Sequence, residues 1–93
     1  MMELKELFVD IRKELRCADK YAKEAVKHKH EFPELADVYH KIAADKATHA
    51  DMLSKQARIM AEKHGMKNVW EIEDYMIAND MDEVKRCLAS FRD

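Results

Sequence analysis

Residues 4–25 read LKELFVDIRKELRCADKYAKEA, and within them Leu4, Phe8, Ile11, Leu15, Ala18, Ala22 and Ala25 follow one another at steps of 4, 3, 4, 3, 4 and 3. Steps alternating between three and four keep side chains on one face of a helix, whereas a half-buried strand alternates in twos. The stretch predicts a long helix with one apolar seam that begins with large residues and ends with alanines. Small residues let another helix come close, so the second half of the seam is expected to pack tightly. Glu3 and Glu6 near the start and His28, Lys29 and His30 at the end carry the charges that suit a helix dipole.

Punctuation in the rest of the chain is sparse, with one Pro and one Gly. Pro33 suits the first position of a second helix, and Gly65 suits the end of it. The inner face of that helix is read as Leu35, Tyr39, Ile42, Ala43, His49, Ala50, Leu53, Ala57 and Met60. Asp37, Lys41 and Asp45 form a charge ladder of the kind found on a solvated face. Asn68-Val-Trp-Glu71 reads as a capping box opening a third helix, with Trp70, Ile77, Met81, Val84, Leu88 and Phe91 on one face. The Asn79-Asp80 pair is where this helix could kink. The expectation is an all-α single domain with helices over about 3–30, 33–64 and 68–91.

Composition narrows the function classes. The chain has 93 residues, 47% hydrophobic and 39% charged, with 17 basic and 19 acidic side chains well mixed. Nucleic-acid binders usually show a basic excess or stripe, so nucleic acid is not an expected partner. No apolar run approaches the roughly 20 residues of a membrane span. The opening residues MMELKELFVDIRKEL mix charge with apolar side chains and do not read as a signal peptide. Cys17 and Cys87 lack metal-type spacing and are expected to be free, buried structural thiols in a reducing cytoplasm. Thin helices bury little surface alone, and a core below about 100 residues is marginal. The fold expected is therefore a long antiparallel helical hairpin plus a third helix, completed by dimerisation.

Most familiar catalytic sites are absent. A single Gly cannot make a phosphate loop, Thr48, Ser54 and Ser90 have no evident base, and neither CxxC nor HExxH occurs. What remains is a spacing. Glu14 and Tyr21 lie seven apart on the stripe of Ile11, Ala18 and Ala25, and Lys46 and His49 lie three apart on the stripe of Ile42 and Leu53. In antiparallel helices the two pairs could face each other. A carboxylate opposite Glu-x-x-His is the arrangement that builds a di-iron carboxylate site.

The stretch Glu14 to Leu53, with Tyr21, Pro33-Glu34-Leu35-Ala36, Tyr39, Ile42-Ala43 and His49-Ala50, resembles one helical hairpin of a rubrerythrin-like member of the ferritin-like superfamily. The chain as a whole also looks like small helical proteins of bacterial prophages and mobile elements, which have no assigned activity. The resemblance implies a ferritin-like half-bundle, with Glu14 as first-helix carboxylate, Tyr21 as its buried tyrosine partner and His49 as histidine ligand. The bridging glutamate of the family would fall at position 46, where this chain has Lys46. A charged ammonium has no lone pair to offer a metal. Asp45 is turned about 100° away around the helix. Lys46 is thus expected to pair with Glu14 in place of an ion.

The function this implies is that of a non-enzymatic helical interaction or structural protein with a degenerate metal site and no cofactor. The alternative is a ferritin-like metal-binding protein or oxidoreductase, in which a homodimer brings two copies of Glu14 and His49 around iron or manganese. A third reading is a regulator whose third helix docks into a protein partner's groove through Met and aromatic side chains. On the bland side, His49 would bond Asp45 at the edge of the core. Tyr21 and Tyr39 would be packed aromatics, and His40 and His64 would be solvated.

Overall fold

A computed structural model of the chain describes residues 3–92. Three helices account for nearly all of them: α1 (Leu4–His28), α2 (Pro33–Lys63) and α3 (Lys67–Ser90), with no strand among the described residues. The molecule is elongated, 50 × 23 × 14 Å. The α1–α2 contact is the most extensive, and α3 touches both. Across the first pair, Glu14 meets Lys46, Tyr21 meets Tyr39 and His28 meets Phe32, so numbers rising on α1 match numbers falling on α2. Between α1 and α3 both numbers rise together, from Phe8 and Trp70 through Arg12 and Glu73 to Lys23 and Glu83.

The helix ends follow from local chemistry. Pro33 opens α2, where its missing N–H costs no hydrogen bond. At the other end Gly65 adopts φ +68°, the left-handed conformation that a side chain disfavours. Its N–H donates to the Glu62 carbonyl at 3.4 Å, and the Met66 N–H donates to the Ala61 carbonyl at 2.7 Å, closing a Schellman turn. The Met66 carbonyl then accepts from Trp70 N–H and starts α3. Asn68 is therefore not the cap expected of it. The cap position is Met66, with no side-chain bond, because the turn that closes α2 hands the chain directly to α3. The helix runs unbroken through Asn79-Asp80, held on both sides by buried Ile77, Met81 and Val84.

Packing changes character along the molecule. Every residue of the α1 seam is buried, together with Leu7. The large residues Leu4, Leu7, Phe8, Ile11 and Leu15 reach Trp70, Ile77 and Met81 of α3 over Ala50, Ala57 and Ala61 of α2, which makes the main core. Beyond Leu15 the seams are alanine on both sides: Ala18, Ala22 and Ala25 on α1, Ala36 and Ala43 on α2. All five are essentially inaccessible despite their short side chains, which requires the facing backbone to lie close. The α2 seam is a strict repeat of seven, Ala36, Ala43, Ala50 and Ala57. Leu35, expected inside, is exposed instead. Ala36 takes the buried seat because only a methyl fits where α1 comes this near, and Leu35 is turned one residue, about 100°, away.

Candidate functional site

Glu14 projects from the middle of α1 toward the edge of α2, just outside the alanine seam. Its Oε2 lies 3.4 Å from Lys46 Nζ and 3.6 Å from His49 Nδ1. The side chains are 24%, 34% and 52% exposed for Glu14, Lys46 and His49, so the carboxylate is the enclosed member and the imidazole is on the rim. Glu14 Oε2 itself is shielded from solvent and makes no aligned hydrogen bond. The attraction is that of an ion pair held slightly beyond hydrogen-bonding geometry. The structure thus brings Glu14, Lys46 and His49 together, and it seats His49 farther out than an inner-face residue.

These residues do not fit a resident metal within one chain. Two donors converge, one carboxylate oxygen and one imidazole nitrogen, and an ammonium occupies the third side of the carboxylate. No group of three or more His, Cys, Asp or Glu side chains suited to a metal occurs among the described residues. Asp45 does not join the cluster, lying 3.7 Å from Lys41 one turn back. Tyr21 is two turns from Glu14 and stacks on Tyr39 at a ring separation of 5.6 Å, with Lys20 Nζ 5.5 Å from its ring centre. Among the described residues it makes no hydrogen bond to Glu14.

Two other histidines, His28 and His40, serve the ends of helices. His28 is 3.2 Å from Glu24 and packs against Phe32 and Tyr39. His40, expected in solvent, is half-buried: its ring stacks on Phe91 at 4.5 Å, and its Nε2–H donates to the Leu88 carbonyl at 3.1 Å. Lys29 Nζ donates to the Ser90 carbonyl at 3.3 Å. The last turn of α3 has no basic residue of its own. The donors that meet its open carbonyls therefore come from Lys29, just past the end of α1, and from His40 of α2. No local pattern signals this, since the partners are 61 and 48 positions apart. The same holds for the Arg12–Glu73 ion pair. Arg12 also borders a recess of about 230 Å³ between α1 and α3, lined by Arg16, Asp19, Asp80 and Glu83 with Leu15 and Val84.

Both cysteines are free and half-buried. Burial pushes the Cys87 thiol above its ordinary range, with the Asp19 and Glu83 carboxylates adding to the push and Lys23 opposing it. Lys23 in turn is held in its charged form by a 2.8 Å hydrogen bond to Asp19. Neither observation suggests an activated nucleophile.

The most conspicuous surface lies on the side of α2 turned away from the alanine seam. Leu35, Val38, Met52 and Ile59 are exposed there and Ile42 is half-buried. A second apolar patch on α3 comprises Val69, Ile72, Tyr75 and Met76. Comparison of the chain with known protein families, curated proteins and solved structures gives no match.

Proposed function

We propose that this chain is a non-enzymatic interaction or structural protein, in which α1 and α2 form an antiparallel hairpin resembling half of a ferritin-like bundle and a second copy completes it. The observation that carries the reading is the Lys46 ammonium held against Glu14 Oε2, where a ferritin-like site would have a carboxylate and a metal. The pairing of Glu14 with Lys46 and of Tyr21 with Tyr39 supports the antiparallel hairpin. The exposed apolar side chains of α2 support completion by another chain, since isolated apolar residues are ordinary but an aligned set marks an interaction face. Free thiols fit a reducing compartment such as the cytoplasm.

One observation favours a second reading, metal binding across a dimer: Glu14 Oε2 is enclosed and lacks an aligned hydrogen bond. Elemental mass spectrometry on tag-free protein, purified without chelator and offered Fe(II) and Mn(II), separates the two. The expected result is no metal above background. Stoichiometric metal, lost in Glu14→Ala and His49→Ala, would overturn the first reading and support the second.

A further inference from the structure

The outward face of α2 is more ordered than a list of exposed apolar residues suggests. Leu35, Val38, Ile42, Asp45, His49, Met52, Gln56 and Ile59 follow at steps of 3, 4, 3, 4, 3, 4 and 3. This is a heptad seam of the kind that pairs two helices. It is separate from the alanine seam toward α1. It spans about 36 Å of helix at 1.5 Å per residue. Apolar residues occupy its ends, and its two ionisable residues, Asp45 and His49, sit next to each other at its centre.

The seam is also its own complement. Laid antiparallel on a second copy so that paired numbers sum to 94, Leu35 meets Ile59, Val38 meets Gln56, Ile42 meets Met52, and Asp45 meets His49, each pair occurring twice about a twofold axis. Other alignments are worse. A parallel pairing sets Asp45 against Asp45. An antiparallel shift of one heptad to a sum of 87 sets Asp45 against Ile42 and His49 against Val38, and it leaves Ile59 out. The opposite shift, to 101, leaves Leu35 out and sets Asp45 against Gln56.

His49 is also suited to this role by its contacts within the chain. Its Nδ1 faces Glu14, and its Nε2 has no partner among the described residues. A ring that carries a proton on Nε2 donates there, so this nitrogen can meet a carboxylate from outside. The charges bordering the face are matched on their own helix, Lys41 with Asp45 at 3.7 Å, Lys55 with Asp51 at 3.1 Å and Arg58 with Glu62 at 3.2 Å. No single-sign field surrounds the stripe to repel a second copy.

We infer that the occupant of this face is a second copy of the chain, docked α2 against α2 in the antiparallel register that sums to 94, with two reciprocal Asp45–His49 pairs at the twofold axis. The inference rests on the completion of the bundle by a second copy and specifies its face and register.

The test is sedimentation equilibrium of the full chain with a charge swap. Wild type is expected to be a dimer. Asp45→Lys sets a cation against His49, and His49→Glu sets two carboxylates together, so each is expected to weaken the dimer by about tenfold or more. The double variant Asp45→Lys/His49→Glu is expected to restore it, a rescue that damaged folding would not give. Circular dichroism confirms that each variant stays helical. A second readout avoids charge altogether. In a Cys17→Ser/Cys87→Ser background, Thr48→Cys flanks the axis and is expected to cross-link to itself with a short bifunctional thiol reagent. Lys55→Cys is not, because its two copies would be about 24 Å apart along the helix axes.

A wild type that stays monomeric would overturn both this inference and completion by a second copy. A dimer indifferent to the swap, or cross-linked through Lys55→Cys and not Thr48→Cys, would overturn the register alone and leave the broader reading standing.

Discussion

Removing Lys46 asks how much the ion pair at the candidate site is worth. Two unit charges about 4 Å apart attract by about 4 kcal/mol at the effective dielectric of a protein surface, before desolvation is subtracted. Exposed pairs retain only about 0.2–1 kcal/mol of this, and breaking a fully buried pair costs about 3–5 kcal/mol. Glu14 and Lys46 fall between these limits, at 24% and 34% side-chain exposure with 3.4 Å between charged atoms. A double-mutant cycle of Glu14→Gln and Lys46→Met is therefore expected to give a coupling of about 1–2 kcal/mol, because the cycle cancels changes in stem packing and helix propensity. Urea denaturation at one fixed protein concentration measures it, since any dimer makes stability depend on concentration. The partial enclosure of Glu14 predicts that the coupling falls in 1 M salt without vanishing. A coupling below about 0.3 kcal/mol, typical of the weakest exposed pairs, would refute the reasoning that this pair is a functional replacement for an ion.

Two further outcomes follow from the packing and the electrostatics. Ala43→Leu forces a larger side chain into a fully buried seat facing the alanine half of α1, and it is expected to cost about 1–3 kcal/mol. In a thermal melt each kcal/mol lowers Tm by about 4–8 °C for a domain of this size, and an unchanged Tm would mean that the helices are not closely packed there. For Cys87, a thiol raised above its ordinary range holds less thiolate, so its alkylation by iodoacetamide at pH 8 is expected to be slower than that of a small free thiol. Asp19→Asn removes one of the upward pushes and leaves Lys23 opposing the others, so the rate–pH curve, followed by site-resolved mass spectrometry, should move to lower pH. A shift to higher pH would contradict the assignment of causes.

The three helices were legible because their signals are local. A seam in steps of three and four needs only its own sequence, and Pro33 and Gly65 act through their own backbone conformations. Leu35 and Ala36 illustrate where this stops. Both are apolar neighbours, and which one faces α1 depends on how closely the helices approach, a distance set jointly by alanines on both. Asn68 carried a correct capping pattern that went unused, since Met66 was already committed to closing α2. The His40 and Lys29 bonds to the end of α3 join residues dozens of positions apart, and nothing in either neighbourhood points to the other. At the site, the meeting of Glu14, Lys46 and His49 was readable from spacing, but the outward seat of His49 was not, because the inner-face reading merged two adjacent seams of α2.

That merging bears on function. The alanine seam commits one side of α2 to α1, while the heptad stripe leaves the other side for a partner, and His49, at the centre of the stripe, also reaches back to Glu14 of α1. In the proposed dimer its Nδ1 addresses Glu14 of its own chain and its Nε2 addresses Asp45 of the other, so the imidazole has a carboxylate at each nitrogen without any metal. Lys46 then balances Glu14 from the inside, and the cluster becomes a charge-matched link between the fold and its interface. On this view Glu14→Gln weakens association although Glu14 is not itself on the docking face, because it loosens the imidazole that is. A metal site across the dimer predicts the opposite dependence, with association strengthened by added iron or manganese and indifferent to Asp45. Sedimentation of Glu14→Gln and Asp45→Asn, each with and without Mn(II), sets the two accounts directly against each other.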